Sequence, residues 1–243
     1  MRYFIALLGL GLILGACRGN GAKERVAAER EAWEASLPDS IKAITRETDS
    51  IRDEIRTLTG QAEDMLQNFD YVDNPSEVEG YYIAKAWKSS YPLTATGLVA
   101  RLNKGEQLEL IAALGGGAHF DRLRVEADGK TAETSTVPFD QALNYRLANL
   151  NIVCFSDSAA NSCARLIAEH DADGIINIIY LNGGKQTGSY KYPVAARNVM
   201  TDTWNLYDTR SRLQHDERML PLLARKSELI NQKIDEIADR NKK

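Results

Sequence analysis

The chain has 243 residues, 30 Lys and Arg against 34 Asp and Glu, a net charge of −4 and three cysteines. That is enough for one sizeable domain or two small ones at roughly 100–200 residues each. The mild acidity, with no basic tail or arginine stripe, argues against a nucleic-acid partner. Charge is spread evenly along the chain, as in a soluble body rather than one that hugs a membrane.

Met1-Arg2-Tyr3 is a short start with one positive charge, and Phe4 to Leu14 is an uncharged apolar run. Leu14-Gly15-Ala16-Cys17 follows, and the chain turns polar at Arg18. A charged start, a short apolar middle and small residues before a cut site are the parts of a secretory signal. The run is too short to span a membrane, which takes about 20 apolar residues. Residues 14–17 resemble the lipobox of bacterial lipoprotein precursors. The resemblance covers the first tenth of the chain. It implies removal of residues 1–16, diacylglycerol on the Cys17 sulfur and acylation of the new amino terminus. It also implies a lipid-anchored place in a bacterial envelope. Arg18 is not the aspartate that retains many such proteins in the inner membrane of enteric bacteria, which favours the outer membrane. For the remainder of the chain the sequence resembles no family.

Residues 17–36 are expected to be a tether. Gly19 and Gly21 loosen it, and Ala, Glu, Arg and Lys from Ala22 on favour helix. Val26 and Trp33 are its only large apolar residues. Residues 37–72 carry the first strong pattern. Ser36 and Asp39 resemble a capping box, with Pro38 tolerated in a first turn. Leu37, Ile44, Ile51, Leu58 and Met65 form one heptad series, and Ile41, Thr48, Ile55, Ala62 and Phe69 the other. Such a helix is about 50 Å long, and its apolar seam needs a cover.

The cover is expected within the same chain. Residues 195–240 read as helical, as one kinked helix or two in series, because Pro221 removes a backbone donor. Ala196, Val199, Met200, Thr203 and Tyr207 share one stripe. Leu220, Leu223, Ile230, Ile234 and Ile237 repeat the three-four spacing. An antiparallel coiled-coil stalk of the two segments is the simplest arrangement, since two seams exist and each needs a partner. The alternative is a homo-oligomer in which Leu37–Phe69 pairs with its own copy.

Between them, residues 76–194 are expected to form a head. Strands are predicted over Tyr81–Trp87, Gly97–Leu102, Gln107–Leu114, Asp121–Ala127, Lys130–Val137, Tyr145–Phe155 with a bend at Asn149-Leu150-Asn151, Ile175–Leu181 and Gln186–Tyr192, with a helix over Asp157–His170. Asp128-Gly129 between alternating strands is a strong hairpin signal. Successive strands with short turns and one helix describe an α+β head with a mainly antiparallel sheet.

No reaction chemistry emerges from motifs, and the chain is expected to be non-enzymatic, with no cofactor and no metal. Gly115-Gly116-Gly117 leads into a strand and lacks the helix and Lys-Ser or Lys-Thr of a phosphate loop; a flexible hairpin tip fits it better. Asp171-Ala172-Asp173-Gly174 begins like a calcium loop but lacks the later ligands. His119, His170 and His215 fall in separate elements, and no Gly-x-Ser-x-Gly elbow occurs. Outside the cytoplasm Cys154 and Cys163 can be a disulfide or two small buried apolar side chains. The head is rich in tyrosine. Tyr190 and Tyr192 share a strand face and are the first pair expected of a platform for glycan or peptide. The leading expectation is a structural or interaction protein of the envelope with a protein partner. The alternative is a ligand-binding module.

Overall fold

The computed structural model describes residues 20–73, 80–88, 91–140, 142–170 and 174–242. The fold is α+β: two antiparallel sheets and, among the described residues, three helices, the first and last of them long. The chain divides into two compact units, one of Ser50–Met219 and one of Met1–Asp49 with Leu220–Lys243.

Helix α1 runs Asn20–Leu66, 47 residues, through Pro38. The helix expected to start at Leu37 therefore starts earlier, because the Ala, Glu, Arg and Lys content of residues 22–35 supports it. Ser36 does not cap; its hydroxyl donates to the Trp33 carbonyl inside the helix at 2.7 Å. Helix α3 runs Val194–Arg240 and likewise contains Pro221. In the smaller unit the heptad positions are the covered ones. Leu37, Ile44 and Leu223 are buried, Ile41, Ile230, Ile234 and Ile237 half-buried, and the residues between them mostly exposed. Arg240 Nη2 reaches both Glu34 carboxylate oxygens, at 2.9 and 2.8 Å.

The larger unit opens with the last turns of α1. Helix ends at Leu66, and a turn at Gln67-Asn68 leads into β1, Phe69–Val72. Phe69 thus belongs to a strand, not to the last heptad, and it is buried, paired with Ala84 of β2, Tyr81–Ala84. A 3₁₀ turn over Lys85–Trp87 replaces the second half of the strand expected there. Strands β3 (Gly97–Asn103) and β4 (Leu108–Leu114) form a hairpin. Strands β5 (Arg122–Ala127) and β6 (Lys130–Glu133) form another. In the second, Asp128 and Gly129 both take positive φ, 46° and 74°, as the mirror-image two-residue turn requires. The long strand expected at 145–155 is two, β7 (Asn144–Leu147) and β8 (Leu150–Phe155), joined through Ala148 at φ 53°. Helix α2 spans Ser158–Ala168. Strands β9 (Ile176–Asn182) and β10 (Lys185–Lys191) complete the unit before α3.

One sheet has the order β1-β2-β3-β4-β8-β7 and the other β10-β9-β5-β6. Gly115–Asp121 crosses from the first sheet to the second, so the three glycines are not a hairpin tip. The near-continuous apolar run of β9 suits its internal place. Tyr180 of β9 donates to the Gly97 carbonyl of β3 at 3.1 Å. Phe120, in the crossing loop, meets Tyr180 edge-on at 4.8 Å and Phe155 of β8 at 6.4 Å. The two sheets therefore share one core.

Two buried asparagines fix that crossing. Asn151 accepts the Phe120 N–H at 2.7 Å and donates to Asn144 Oδ1 at 2.9 Å. Asn144 donates to the Phe120 and Val137 carbonyls at 3.1 and 2.7 Å. A loop that passes through a core must satisfy its backbone polar groups internally, and these side chains do so. On α3, Met200, Thr203, Leu206 and Thr209 are buried. Arg210 and Gln214 both hold Glu106 in the β3–β4 turn.

Candidate functional site

The surface of the larger unit is indented around α2. One cleft of about 610 Å³ lies between α2 and α3, and a second of about 550 Å³ lies between α2 and the β5–β6 hairpin. A third, of about 280 Å³, sits at the helix N-terminus beside the β3–β4 turn. The first two share Ser162, Arg165 and Glu169; the first and third share Ser158, Asn161, Tyr207 and Ser211. Together they make a polar trench with α2 running along it.

The local sequence explains the helix. Asp157 is its N-cap, accepting the Ala160 N–H at 2.8 Å. Ala160, Cys163, Ala164 and Ile167 form its buried stripe. That leaves Ser158, Ser162, Arg165 and Glu169 exposed. Asn161 Nδ2 donates to Tyr207 Oη at 2.7 Å, and Thr201 Oγ1 to the Ala168 carbonyl at 3.3 Å, tying α2 to α3. The indole of Trp204 lies 5.4 Å from the Tyr207 ring, tilted by 45°.

Burial raises the Asp157 carboxyl, but hydrogen bonds from Ser135 and the Ala160 backbone outweigh it and hold the group below its ordinary value. A depressed carboxyl stabilises the fold above its unfolded pKa and loses that contribution as pH falls through the folded one. Asp157→Ala is expected to cost about 1 kcal/mol at pH 7, the usual worth of an N-cap. Urea unfolding at pH 7 and pH 3 checks this: the gap between wild type and variant should shrink in acid.

Cys17 lies outside the described residues, as do Asp171, Ala172 and Asp173 of the calcium-like run. Tyr190 and Tyr192 do share a face, but it is turned into the core and is not an open platform. Tyr192 is 4% exposed, and its hydroxyl lies 3.5 Å from the Leu98 and Ala196 carbonyls. Tyr190 stacks on Tyr180 at 6.1 Å and meets Tyr192 at 6.3 Å. Burial pushes all three phenols up. The bond that export allows between Cys154 and Cys163 is not formed. Cys163 is a free thiol in the buried stripe of α2, pushed up to about 12 by burial. Cys154 stands in β8 opposite Ile111, on the other strand face from Phe155.

The histidines are scattered. His119 packs edge-on against Phe139 at 5.5 Å. His170 Nδ1 lies 3.3 Å from Asp128 Oδ2. Its Nε2 is buried against Gly174, where an added Cβ would sit 2.0 Å away. The Ser162 hydroxyl donates to the Ser158 carbonyl at 3.0 Å. No cluster of three or more metal-ligating side chains occurs among the described residues. No helix among them is long and apolar enough to cross a membrane.

The trench residues escaped the sequence because they come from distant places; Asn161 and Tyr207 are 46 positions apart. The one local signal was Trp204, three residues before Tyr207 and beside the apolar stripe of α3 rather than on it. Comparisons with protein-family models, curated proteins and solved structures find no match for this chain.

Proposed function

We propose that this chain is an exported bacterial lipoprotein, held at the envelope by acyl chains on Cys17, whose folded part works without catalysis as a structural or interaction module. The observation that carries the proposal is Leu14-Gly15-Ala16-Cys17 behind a charged start and a short apolar run. The helix that follows begins at Asn20, three residues beyond the acylated position. More than one acyl chain is needed for stable attachment, and lipidation at both the sulfur and the amino group supplies that. The outer membrane is the favoured site.

In this proposal the two long helices pair antiparallel as a stalk. Support comes from the Glu34–Arg240 contact and from the covered heptad positions of α1 and α3. The head meets a protein or other envelope partner through the trench around α2, where polar side chains and aromatic rings are gathered.

The test is palmitate labelling with membrane fractionation of cells expressing the full precursor. The wild-type chain should carry label and remain with salt-washed membranes. Cys17→Ser should carry none, and its membrane-bound share should fall at least about tenfold, since nothing then replaces the acyl chains. A Cys17→Ser form that is cleaved normally and stays with the membranes would overturn the proposal.

A further inference from the structure

We propose that the cleft between α2 and α3 is a saccharide site that takes a short stretch of neutral oligosaccharide. The proposal rests on the trench being the head's contact surface and is independent of the anchor. The cleft's volume, about 610 Å³, falls within the roughly 300–1,000 Å³ of small-ligand sites. One wall is aromatic. Trp204 and Tyr207 are half-buried neighbours on α3, on a stretch of helix seated by the fully buried Thr203 and Leu206 beside them. Asn161 fixes the Tyr207 hydroxyl from the α2 side. A rigid aromatic wall with a polar edge supplies contact area at low entropic cost.

The remaining lining is mostly polar. Arg165 comes from α2 and Glu169 from its C-cap, Asn205 and Asp208 from α3, and all four are exposed. A sugar hydroxyl both donates and accepts. Guanidinium donors, carboxylate acceptors and an amide that does both match a row of such hydroxyls. Rings that offer an apolar face and a polar rim fit a cleft divided in this way.

Other ligand classes fit less well. Two carboxylates against one arginine oppose a phosphate or an acidic ligand. An amphipathic helix needs a hydrophobic groove, and an extended peptide needs a free sheet edge; the walls here are two helices with a largely polar lining.

The experiment titrates the mature full-length protein in detergent micelles with cellotetraose, maltotetraose and N-acetylchitotetraose, with inorganic phosphate alongside, following heat and tryptophan fluorescence. Saturable binding of at least one oligosaccharide is expected, weakened tenfold or more in Trp204→Ala and unchanged in Tyr71→Ala on β1. Should Trp204→Ala fail to fold by circular dichroism, the exposed pair Asn205→Ala with Asp208→Ala replaces it and should show the same loss. Phosphate should not compete. No saturable binding of any of the three sugars, undiminished binding in the cleft variants, or displacement by phosphate would each overturn the proposal. None of these results bears on the fractionation of Cys17→Ser, so failure of the site and failure of the anchor are told apart.

Discussion

Asn151→Ala is expected to lower the free energy of unfolding by about 3 kcal/mol or more. The side chain is 1% exposed and serves three groups at once. Without it the Phe120 N–H and Asn144 Oδ1 lose this partner, and the Tyr145 carbonyl loses one bond. A buried polar group left unpaired costs roughly 1–3 kcal/mol, and alanine offers no replacement. The loss spreads further, because Phe120 is the ring that joins Tyr180 of one sheet to Phe155 of the other. Asn149→Ala, two residues away and exposed, should change stability by less than about 0.5 kcal/mol, as surface substitutions do. Urea unfolding followed by fluorescence distinguishes the two. Equal midpoints for the two variants would show that the crossing is held by something other than this network.

Tyr192→Ala is expected to be as damaging, at about 3–5 kcal/mol, the usual cost of removing a buried aromatic ring. Tyr192→Phe should cost about 1 kcal/mol or less, since both hydroxyl contacts are long at 3.5 Å and a neutral hydrogen bond is worth about that much. The pair separates packing from polarity, and thermal melts at neutral pH measure both. The same cluster gives an alkaline limit. Burial raises the phenols of Tyr180, Tyr190 and Tyr192, so their contribution is full below the unfolded value, about pH 10, and drains away as pH rises beyond it. A Tyr192→Ala protein as stable as wild type would restore these rings to a surface role.

Tyr192 also illustrates what the sequence could convey. Alternation along β10 correctly put Tyr190 and Tyr192 on one face, but a period of two does not say which face meets water. That is decided by Tyr180 and Gly97 on other strands. The heptads of α1 were legible because Leu37, Ile44 and Leu58 repeat a single geometric rule, and these three are buried while Ile41, Ile51 and Ile55 are half-buried. Asp128-Gly129 was legible because only such residues adopt that turn readily. The helix start was misplaced at Ser36 because a capping residue is a local preference, and the long helix-forming run before it overrides that preference. Phe69 fitted the heptad by spacing and yet lies in a strand, since Gln67-Asn68 turns the chain one step earlier. Gly115–Gly117 read as a hairpin tip because nothing local tells a link between sheets from a link within one. The cleft lined by Arg165, Trp204 and Asp208 had no linear signature at all; it exists only once α2 lies along α3.

Strand β10 closes one border of its sheet. Its pairing with β9 slips between Gln186 and Gly188, and lysines stand at both ends, Lys185 and Lys191. Bulges and lysines on a border strand discourage a second molecule from adding its own strand there. Lipid-anchored copies would be confined to two dimensions, where encounters between neighbours are frequent and edge-to-edge zippering is the standing hazard. If the proposed anchor holds copies of the chain at a membrane, the irregular, charged border would leave neighbours free to slide past one another without polymerising.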